Sequence, residues 1–209
     1  MLRVYTANIR GLDFRPALFK LSAYRLERLE SVRSEQGKRQ GAGAELLLNR
    51  AVRELRPDIR LPLDIAADEN GKPRLRDGGL FFSLSHSGDV ALCAVSDQEL
   101  GADIQEQKPF NERLARRFFT VEELAYILAS PDRDYTFSQV WALKESYIKA
   151  VGLGLKLPLD SFSLDFEKGI AVRGEAWKLW HRCVNGCHLA VCSLSDEAPE
   201  IFREIDRLD

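Results

Sequence analysis

Three short apolar segments in the middle of the chain constrain its fold more than any other feature. They span residues 80–85, 90–95 and 100–105, and the four-residue sequences His-Ser-Gly-Asp and Ser-Asp-Gln-Glu separate them. Turns of this length between strands of this length are typical of an antiparallel meander. The sequence therefore predicts three consecutive antiparallel strands at the centre of the chain.

Patterns on both sides of these strands place the chain in the α+β class. Leucine spacing, a capping box of Thr120 and Glu123, and a stop at Gly152 indicate helices. The predicted helices cover residues 16–30, 42–55, 111–118, 120–129 and 134–151. Further strands are predicted at residues 2–9, 161–166, 170–173, 177–183 and 187–194. This order indicates an α+β fold of two similar halves, residues 1–98 and 99–209, packed as one body because no linker separates them.

Composition excludes several other classes of protein. Of the 209 residues, 45% are hydrophobic and 30% are charged, which is typical of a soluble globular protein and not of a disordered, collagen-like or disulfide-stabilised chain. No apolar run reaches the ~18 residues of a membrane-spanning helix. The first residues indicate a strand and no signal peptide, so we expect a cytoplasmic protein without a membrane partner.

Charge is distributed unevenly along the chain. The net charge of −2 makes a nucleic-acid partner unexpected. Residues 1–60 nevertheless hold 13 Lys and Arg against 7 Asp and Glu, whereas the rest of the chain is acidic. The basic segment indicates a local site for an anion, although a solvated basic surface would give the same count.

Three of the four cysteines crowd together with two histidines between residues 181 and 192. A zinc site is one interpretation of this cluster, but the spacing lacks a paired C-x-x-C motif. Asn185-Gly186 is a strong hairpin signal and would place Cys183 opposite His188 and Val184 opposite Cys187. An ordinary hairpin with reduced thiols is the favoured interpretation.

Two candidate groups of polar residues share faces of predicted elements. Asp103 and Gln105 lie on one face of a strand, and Trp141, Glu145 and Lys149 lie on one face of a helix. A carboxylate from a strand and another from a helix would suit Mg²⁺, which prefers oxygen ligands. An exposed strand face and an ordinary Glu–Lys helix pair are the alternatives.

The segment Ser85-His86-Ser87-Gly88 allows two functional interpretations. A serine hydrolase is conceivable, but adjacent Ser and His seldom face each other and no G-x-S-x-G elbow is present. A phosphate contact by His86 is the other interpretation, and it gains force only beside other basic residues. These are Arg25, Arg28, Arg39 and Lys72. No Walker loop or Rossmann glycine motif appears in the sequence.

Six motifs along the chain are weak alone but specific in their order and separation. They are Gly71-Lys-Pro73, Phe82-Ser-Leu-Ser-His-Ser-Gly88, Gly101-Ala-Asp-Ile104, Arg117-Phe-Phe119, Trp141-Ala-Leu-Lys-Glu-Ser-Tyr-Ile-Lys149 and Leu157-Pro-Leu-Asp-Ser-Phe162. Together, from residue 25 to residue 192, they resemble the 4'-phosphopantetheinyl transferases of the Sfp type. The resemblance implies a monomer of two pseudo-twofold-related α+β halves, with coenzyme A and Mg²⁺ between them. It also implies transfer of the phosphopantetheine arm of coenzyme A to a serine of an apo acyl or peptidyl carrier protein, with release of adenosine 3',5'-bisphosphate.

The same resemblance implies roles for the polar strand and helix residues. Asp103 and Glu145 match Mg²⁺ ligands, Lys149 matches a contact to the transferring phosphate, and Glu145 is the candidate general base. Sfp-type sequences usually read Asp-x-Glu where this chain has Asp103-Ile-Gln105. Gln105 would therefore be a third ligand through its carbonyl oxygen or through a water that it holds.

Coenzyme A contacts are implied for seven residues. They are Arg25, Arg28, Arg39, Lys72, Ser85, His86 and Lys149, with His86 at the 3'-phosphate. Carrier docking is expected near Phe118 and Phe119 and the helix after Pro109. The alternative function is a non-catalytic coenzyme A-binding regulatory or scaffold paralogue, in which Gln105 marks lost chemistry.

Overall fold

The computed structural model describes residues 1–76, 78–167, 169–199, 201–205 and 208 of the chain. Its described strands, in chain order, are β1 Leu2–Asn8, β2 Ile65–Ala67, β3 Pro73–Leu75, β4 Phe81–Ser87, β5 Val90–Ser96, β6 Leu100–Glu106, β7 Leu164–Asp165, β8 Ala171–Val172, β9 Lys178–Val184, β10 Cys187–Ser193 and β11 Ile201–Ile205. Its described α-helices are α1 Ala23–Ser31, α2 Glu35–Leu55, α3 Glu112–Phe118, α4 Val121–Ala129 and α5 Arg133–Val151. Helices and sheets alternate along the chain, and the predicted α+β class is confirmed.

The first sheet has the strand order β11-β1-β5-β4, and the helix α2 covers it. Leu47, Leu48 and Ala51 of α2 lie in an apolar cluster with buried residues of β1 and β5. The helix begins at Glu35, before the predicted start at residue 42, because the Ser34 hydroxyl accepts a hydrogen bond from the Gly37 N–H and caps it. Its first turns are polar, so apolar periodicity alone missed them.

The second sheet has the order β6-β10-β9-β8-β7, and α5 packs on it. Asp132 caps the start of α5 by accepting from the Tyr135 N–H, and Gly152, with φ 80°, ends it as predicted. Contact between α5 and β6 is unusually close at Gly101. A Cβ atom there would lie 2.1 Å from both the Ala150 nitrogen and the Ser146 carbonyl oxygen, so this position requires glycine.

The predicted three-stranded meander forms for its first two strands but not for the third. β4 and β5 form the predicted antiparallel hairpin, with Leu84 opposite Cys93. The prediction was wrong for β6, which pairs with β10 and places Asp103 opposite Ala190. The reason is that β5 has no free edge, because β1 occupies the side that β4 leaves open. The third strand therefore starts a new sheet, and an apolar cluster with members in β1, β5, β6 and β10 joins the two sheets.

Other differences from the sequence predictions are local. The helix predicted at 16–30 is a 3₁₀-helix at Arg15–Lys20 followed by α1, because Ser22 caps α1 by accepting from the Arg25 N–H. The strands predicted at 161–166 and 170–173 shorten to β7 and β8. The backbone of β11 pairs in parallel with β1, so a strand from beyond residue 99 joins the first sheet. The boundary between residues 98 and 99 stays a prediction.

The hairpin around Asn185 and Gly186 is confirmed. Both residues have positive φ, 51° and 73°, and the register places Cys183 opposite His188 and Val184 opposite Cys187. Among the described residues, no group of three or more His, Cys, Asp or Glu side chains is arranged to hold a metal ion. In the same part of the chain, no helix is both long and apolar enough to cross a membrane.

Candidate active site between the two halves

A cavity of about 830 Å³ opens between α1 and β4 of the first half and β6 and α5 of the second. The predicted site residues that line it are Arg25, Arg28, Lys72, Ser85, His86, Asp103, Gln105, Glu145 and Lys149. The structure therefore brings together residues that lie up to 124 positions apart in the sequence. Arg39 is not among the lining residues, and its Nε donates instead to the Leu12 carbonyl oxygen at 3.2 Å.

Asp103, Gln105, Glu145 and Lys149 line this cavity together, and we call them its carboxylate end. Asp103 is 2% exposed. Its Oδ1 accepts from the Ser85 hydroxyl at 2.7 Å and from the Lys149 ammonium at 2.6 Å. Its Oδ2 accepts from the Gln105 amide nitrogen at 3.0 Å. A buried carboxylate is costly unless it is paired, and these three donors supply its partners. Asp103 and Lys149 therefore form a fixed ion pair at the wall of the cavity.

Glu145 stands one helical turn before Lys149 on α5 and faces the same cavity. Burial raises the pKa of the Glu145 carboxyl, the negative charge of Asp103 raises it further, and Lys149 opposes both. A divalent cation held by Asp103 and Glu145 would remove this repulsion between like charges. Two carboxylates with a nearby amide are also the oxygen donors that Mg²⁺ prefers, so these residues fit that ion.

A second group of lining residues is basic and comes from α1 and β4, and we call Arg25, Arg28 and His86 the basic end of the cavity. The Arg25 Nε donates to Oε2 of Glu45 at 3.2 Å, and Glu45 is fully buried. Glu45 also accepts from the backbone N–H and the hydroxyl of Ser22, at 2.5 and 3.1 Å. The Arg28 guanidinium lies 5.5 Å from the centre of the Tyr24 ring. These contacts hold two guanidinium groups at the cavity wall, where an anionic ligand would be attracted.

His86 of β4 also lines the cavity and is exposed. Partial burial lowers the pKa of its imidazole, and the positive charges of Lys149 and Arg25 lower it further. His86 is therefore neutral at neutral pH without a ligand. An incoming phosphate would reverse the electrostatic effect and favour the protonated ring.

Lys72 reaches the cavity but uses its ammonium inside the protein. It donates to Oε2 of Glu99 at 3.0 Å and to the carbonyl oxygens of Leu100 and Ala150 at 3.0 and 2.8 Å. These partners tie the start of β6 to the end of α5. All three ammonium donors are thus engaged, and a phosphate contact by Lys72 stays a prediction that this arrangement does not favour.

A buried ion pair fixes the helix that carries Glu145 and Lys149. The Lys144 ammonium contacts both oxygens of Glu123 at 2.6 and 2.7 Å and the Phe162 carbonyl oxygen at 2.7 Å. Glu123 also completes the predicted capping box with Thr120, which is confirmed. Burial lowers the pKa of Lys144, and Glu123 opposes this shift. The sequence analysis assigned no role to Lys144, although a lysine within an apolar helix face signals a buried partner.

Glu45 was also missed by the sequence analysis. It lies in the middle of the apolar run Ala44-Glu-Leu-Leu-Leu48, and a carboxylate in such a run signals a buried cationic partner. Near the predicted docking region, both Phe118 and Phe119 pack against Trp141, at 5.7 and 5.8 Å. Phe118 is half-buried and lines the cavity, whereas Phe119 is buried. Of the two aromatic rings, Phe118 is therefore the one available to a partner.

The chain matches the family described as ACPS, 4'-phosphopantetheinyl transferase superfamily, over residues 99–197. The 4'-phosphopantetheinyl transferase Sfp of Bacillus subtilis (strain 168) is 36% identical over 153 residues, which cover 68% of this chain and 66% of that protein. The chain belongs to the 4'-phosphopantetheinyl transferase superfamily. The 4'-phosphopantetheinyl transferase ffp of Bacillus subtilis is 35% identical over 154 residues, again 68% of this chain and 66% of the relative. The expected Sfp-type membership is confirmed. The matched part of this chain spans just under two thirds of the length of these two relatives.

Among solved structures, the holo-[acyl-carrier-protein] synthase of Thermotoga maritima aligns with a TM-score of 0.41 and 20% identity. That alignment covers 47% of this chain and 64% of the synthase. The segment that matches the superfamily, residues 99–197, contains Asp103, Gln105, Glu145 and Lys149. Arg25, Arg28 and His86 come from the part of the chain before that segment.

Proposed function

We propose that this chain transfers the 4'-phosphopantetheine group of coenzyme A to a serine of an apo acyl or peptidyl carrier protein. One observation carries the proposal. In a member of this superfamily, a carboxylate pair with a lysine and a group of basic residues line the same cavity. The pair supplies the groups for phosphoryl transfer, and the basic cluster supplies contacts for an anionic nucleotide.

Coenzyme A would bind with its 3'-phosphate at the basic end, near Arg25, Arg28 and His86. Its pyrophosphate would then reach the end formed by Asp103 and Lys149. Mg²⁺ bound by Asp103 and Glu145, with Gln105 as a third or water-mediated ligand, would neutralise charge on the phosphates. Lys149 would balance the charge that develops on the transferring phosphoryl group.

The transfer step forms one bond and breaks another at the same phosphorus atom. The serine oxygen bonds to the phosphorus that carries pantetheine, and the bond from that phosphorus to the bridging oxygen breaks. Adenosine 3',5'-bisphosphate leaves with the bridging oxygen. The serine proton passes to Glu145, directly or through a water. Gln105 cannot take this role because an amide does not accept a proton at neutral pH.

The chain would work as a monomer in the cytoplasm, with the carrier protein docking near Phe118. A carrier is expected to be acidic around its serine, so Arg117 beside the Phe118 ring, at 5.1 Å, supports docking at this position. The carrier could belong to fatty-acid, polyketide or nonribosomal peptide synthesis.

Mass spectrometry of a panel of apo carriers tests the proposal. Carriers are incubated with the protein, coenzyme A and Mg²⁺, and a mass gain of one phosphopantetheine is expected on at least one of them. Glu145→Ala serves as the matched inactive variant, and EDTA should suppress the gain. Coenzyme A binding without mass gain on any carrier would instead indicate the regulatory paralogue, and an EDTA-insensitive gain would contradict the metal requirement.

A further inference from the structure

The two sheets meet along β4 and β6 without sharing a backbone ladder. Each strand is the last one in its own sheet. Within the described residues, serine side chains of β4 form the hydrogen bonds to the backbone of β6. The Ser83 hydroxyl accepts from the Ala102 N–H at 2.9 Å, and the Ser87 hydroxyl accepts from the Glu106 N–H at 3.0 Å. Between them, the Ser85 hydroxyl accepts from the Ile104 N–H, at 3.3 Å.

These contacts form a regular series, which we name the serine ladder and define as Ser83, Ser85 and Ser87. Each serine meets a residue 19 positions later, so β4 and β6 run in the same direction. Alternate residues of a strand point to one face, so serines at every second position of β4 can bond to every second N–H group along β6. A buried N–H without an acceptor is costly, and the ladder satisfies those that the edge of β6 presents.

A hydroxyl can bond to a backbone N–H and still contact other groups, because it has two acceptor sites and one donor. Ser85 uses all of them. It accepts from the Lys149 ammonium at 2.9 Å and donates to Oδ1 of Asp103 at 2.7 Å. The central rung of the ladder is therefore bonded directly to both members of the Asp103–Lys149 ion pair.

The ladder also holds the backbone on either side of Asp103. Its N–H contacts are at Ala102 and Ile104, the residues immediately before and after Asp103. Ser83 is 6% exposed, so solvent cannot readily replace its hydroxyl, whereas the contact at Glu106 is exposed. The strength of the coupling should therefore fall from Ser83 toward Ser87.

We propose that Ser83 and Ser87 are positioning residues for the transfer step. By fixing β6 against β4, they set the distance of Asp103 and its metal site from the coenzyme A contacts of the first half. Neither serine needs to touch the reacting atoms, and the effect passes through the backbone of β6. The functional part of this inference rests on the proposed transferase activity, whereas the ladder itself can be measured without it.

Three variants and one control test the inference. Ser83→Ala removes the hydroxyl, Ser83→Thr restores a hydroxyl at the same position, and Ser87→Ala removes the exposed rung. Ser31→Ala is the matched control, because its hydroxyl donates to the nearby Arg28 carbonyl oxygen at an exposed position, away from β4 and β6 in the sequence. The readouts are amide hydrogen exchange at Ala102 and Glu106 by NMR, kcat and KM for carrier modification, and coenzyme A affinity.

In Ser83→Ala we expect exchange at the Ala102 amide to rise by about tenfold, and kcat to fall about three- to tenfold, as loss of one buried hydrogen bond implies. Affinity for coenzyme A should change less than kcat, and the magnesium concentration at half-maximal rate should rise. Ser83→Thr should recover most of the lost kcat. Ser87→Ala should speed exchange at Glu106 with a smaller effect on kcat, and Ser31→Ala should change none of these values.

Unchanged exchange at Ala102 in Ser83→Ala would overturn the ladder. Faster exchange with an unchanged kcat would overturn the positioning role while leaving the ladder in place. Equal losses in kcat and coenzyme A affinity would point to general destabilisation and would also overturn the role. If Ser83→Ala does not fold, the exchange and kcat of Ser87→Ala decide the same questions. If the unaltered protein modifies no carrier, the proposed function fails, and the exchange data still decide whether the ladder exists.

Discussion

At the basic end of the cavity, the charged side chains are anchored separately, whereas at the carboxylate end they bond to one another. Arg25 is held by Glu45, and Arg28 lies against Tyr24. At the opposite end, by contrast, Asp103 is bonded at the same time to Ser85, Gln105 and Lys149. Groups that act independently lose affinity in graded steps when one is removed, while groups that form a network fail together. The basic end is thus suited to binding, and the carboxylate end to the demanding geometry of transfer.

Removing a carboxylate should give the largest effect. Asp103→Ala and Glu145→Ala should each lower the transfer rate on the order of 10²-fold or more, because electrostatic stabilisation by a bound ion supplies several kcal/mol. Rates measured by carrier mass gain, together with the unfolding temperature of each variant, check this. A folded variant that remains fast would remove that residue from the proposed mechanism.

The next largest effect is expected at His86. His86→Ala should weaken coenzyme A binding by about 1–3 kcal/mol, as loss of a charge-assisted contact would, and should weaken 3'-dephospho-coenzyme A binding much less. Arg39→Ala is the matched control, because Arg39 lies outside the cavity although the sequence predicts a phosphate contact for it. Calorimetry with both ligands is the measurement. Equal losses for both ligands would show that His86 does not recognise the 3'-phosphate.

The same histidine predicts the pH dependence of binding. In the free protein, burial and the charges of Lys149 and Arg25 lower the pKa of His86, and a bound phosphate would raise it. Its contribution to affinity should therefore be complete below the free pKa and be lost as pH rises through the pKa of the complex. Coenzyme A affinity measured against pH should fall with rising pH in the unaltered protein, and this dependence should disappear in His86→Ala.

Substitution of Glu45 should change coenzyme A affinity less than substitution of His86, but the direction of the change distinguishes two explanations. Removing a negative charge near the basic end should tighten binding of an anion if charge alone matters. Glu45→Gln should instead weaken coenzyme A binding by roughly fivefold, because an amide has a single oxygen for two acceptor positions. In Glu45, Oε1 accepts from the Ser22 N–H, and Oε2 accepts from the Ser22 hydroxyl and from Arg25. Glu27→Gln, at an exposed position on α1, is the control for charge. Tighter binding by Glu45→Gln would contradict the positioning of Arg25 by Glu45.

Gln105 should give the smallest loss at the carboxylate end. Its amide nitrogen donates to Asp103, and it brings no charge to the metal site. Gln105→Ala should reduce activity far less than Glu145→Ala, and Gln105→Glu should tighten Mg²⁺ binding in the coenzyme A complex and keep activity. Magnesium titrations of turnover measure both. A loss in Gln105→Ala as large as that in Glu145→Ala would show that two carboxylates do not suffice to hold the ion.

The sequence correctly predicted the features that depend on residue periodicity or on local turn residues. Asp103 with Gln105, and Glu145 with Lys149, share faces because of strand and helix periods, and Asn185-Gly186 specifies its hairpin. The position of β6 could not be predicted in this way, because it depends on β1 taking the edge of β5 from the far end of the sequence. The hydrogen-bond partners of Lys72 could not be predicted either. Two of them are the backbone oxygens of Leu100 and Ala150, which only tertiary packing brings together.

The central claim is that one end of the cavity binds coenzyme A and the other performs the transfer. Coenzyme A binding by Asp103→Asn, measured in EDTA beside its transfer rate with Mg²⁺, tests this most directly. We predict that the variant binds coenzyme A at least as tightly as the unaltered protein, because a negative charge near the pyrophosphate is removed, while transfer falls on the order of 10²-fold. A parallel loss of affinity and transfer would contradict the division between the two ends.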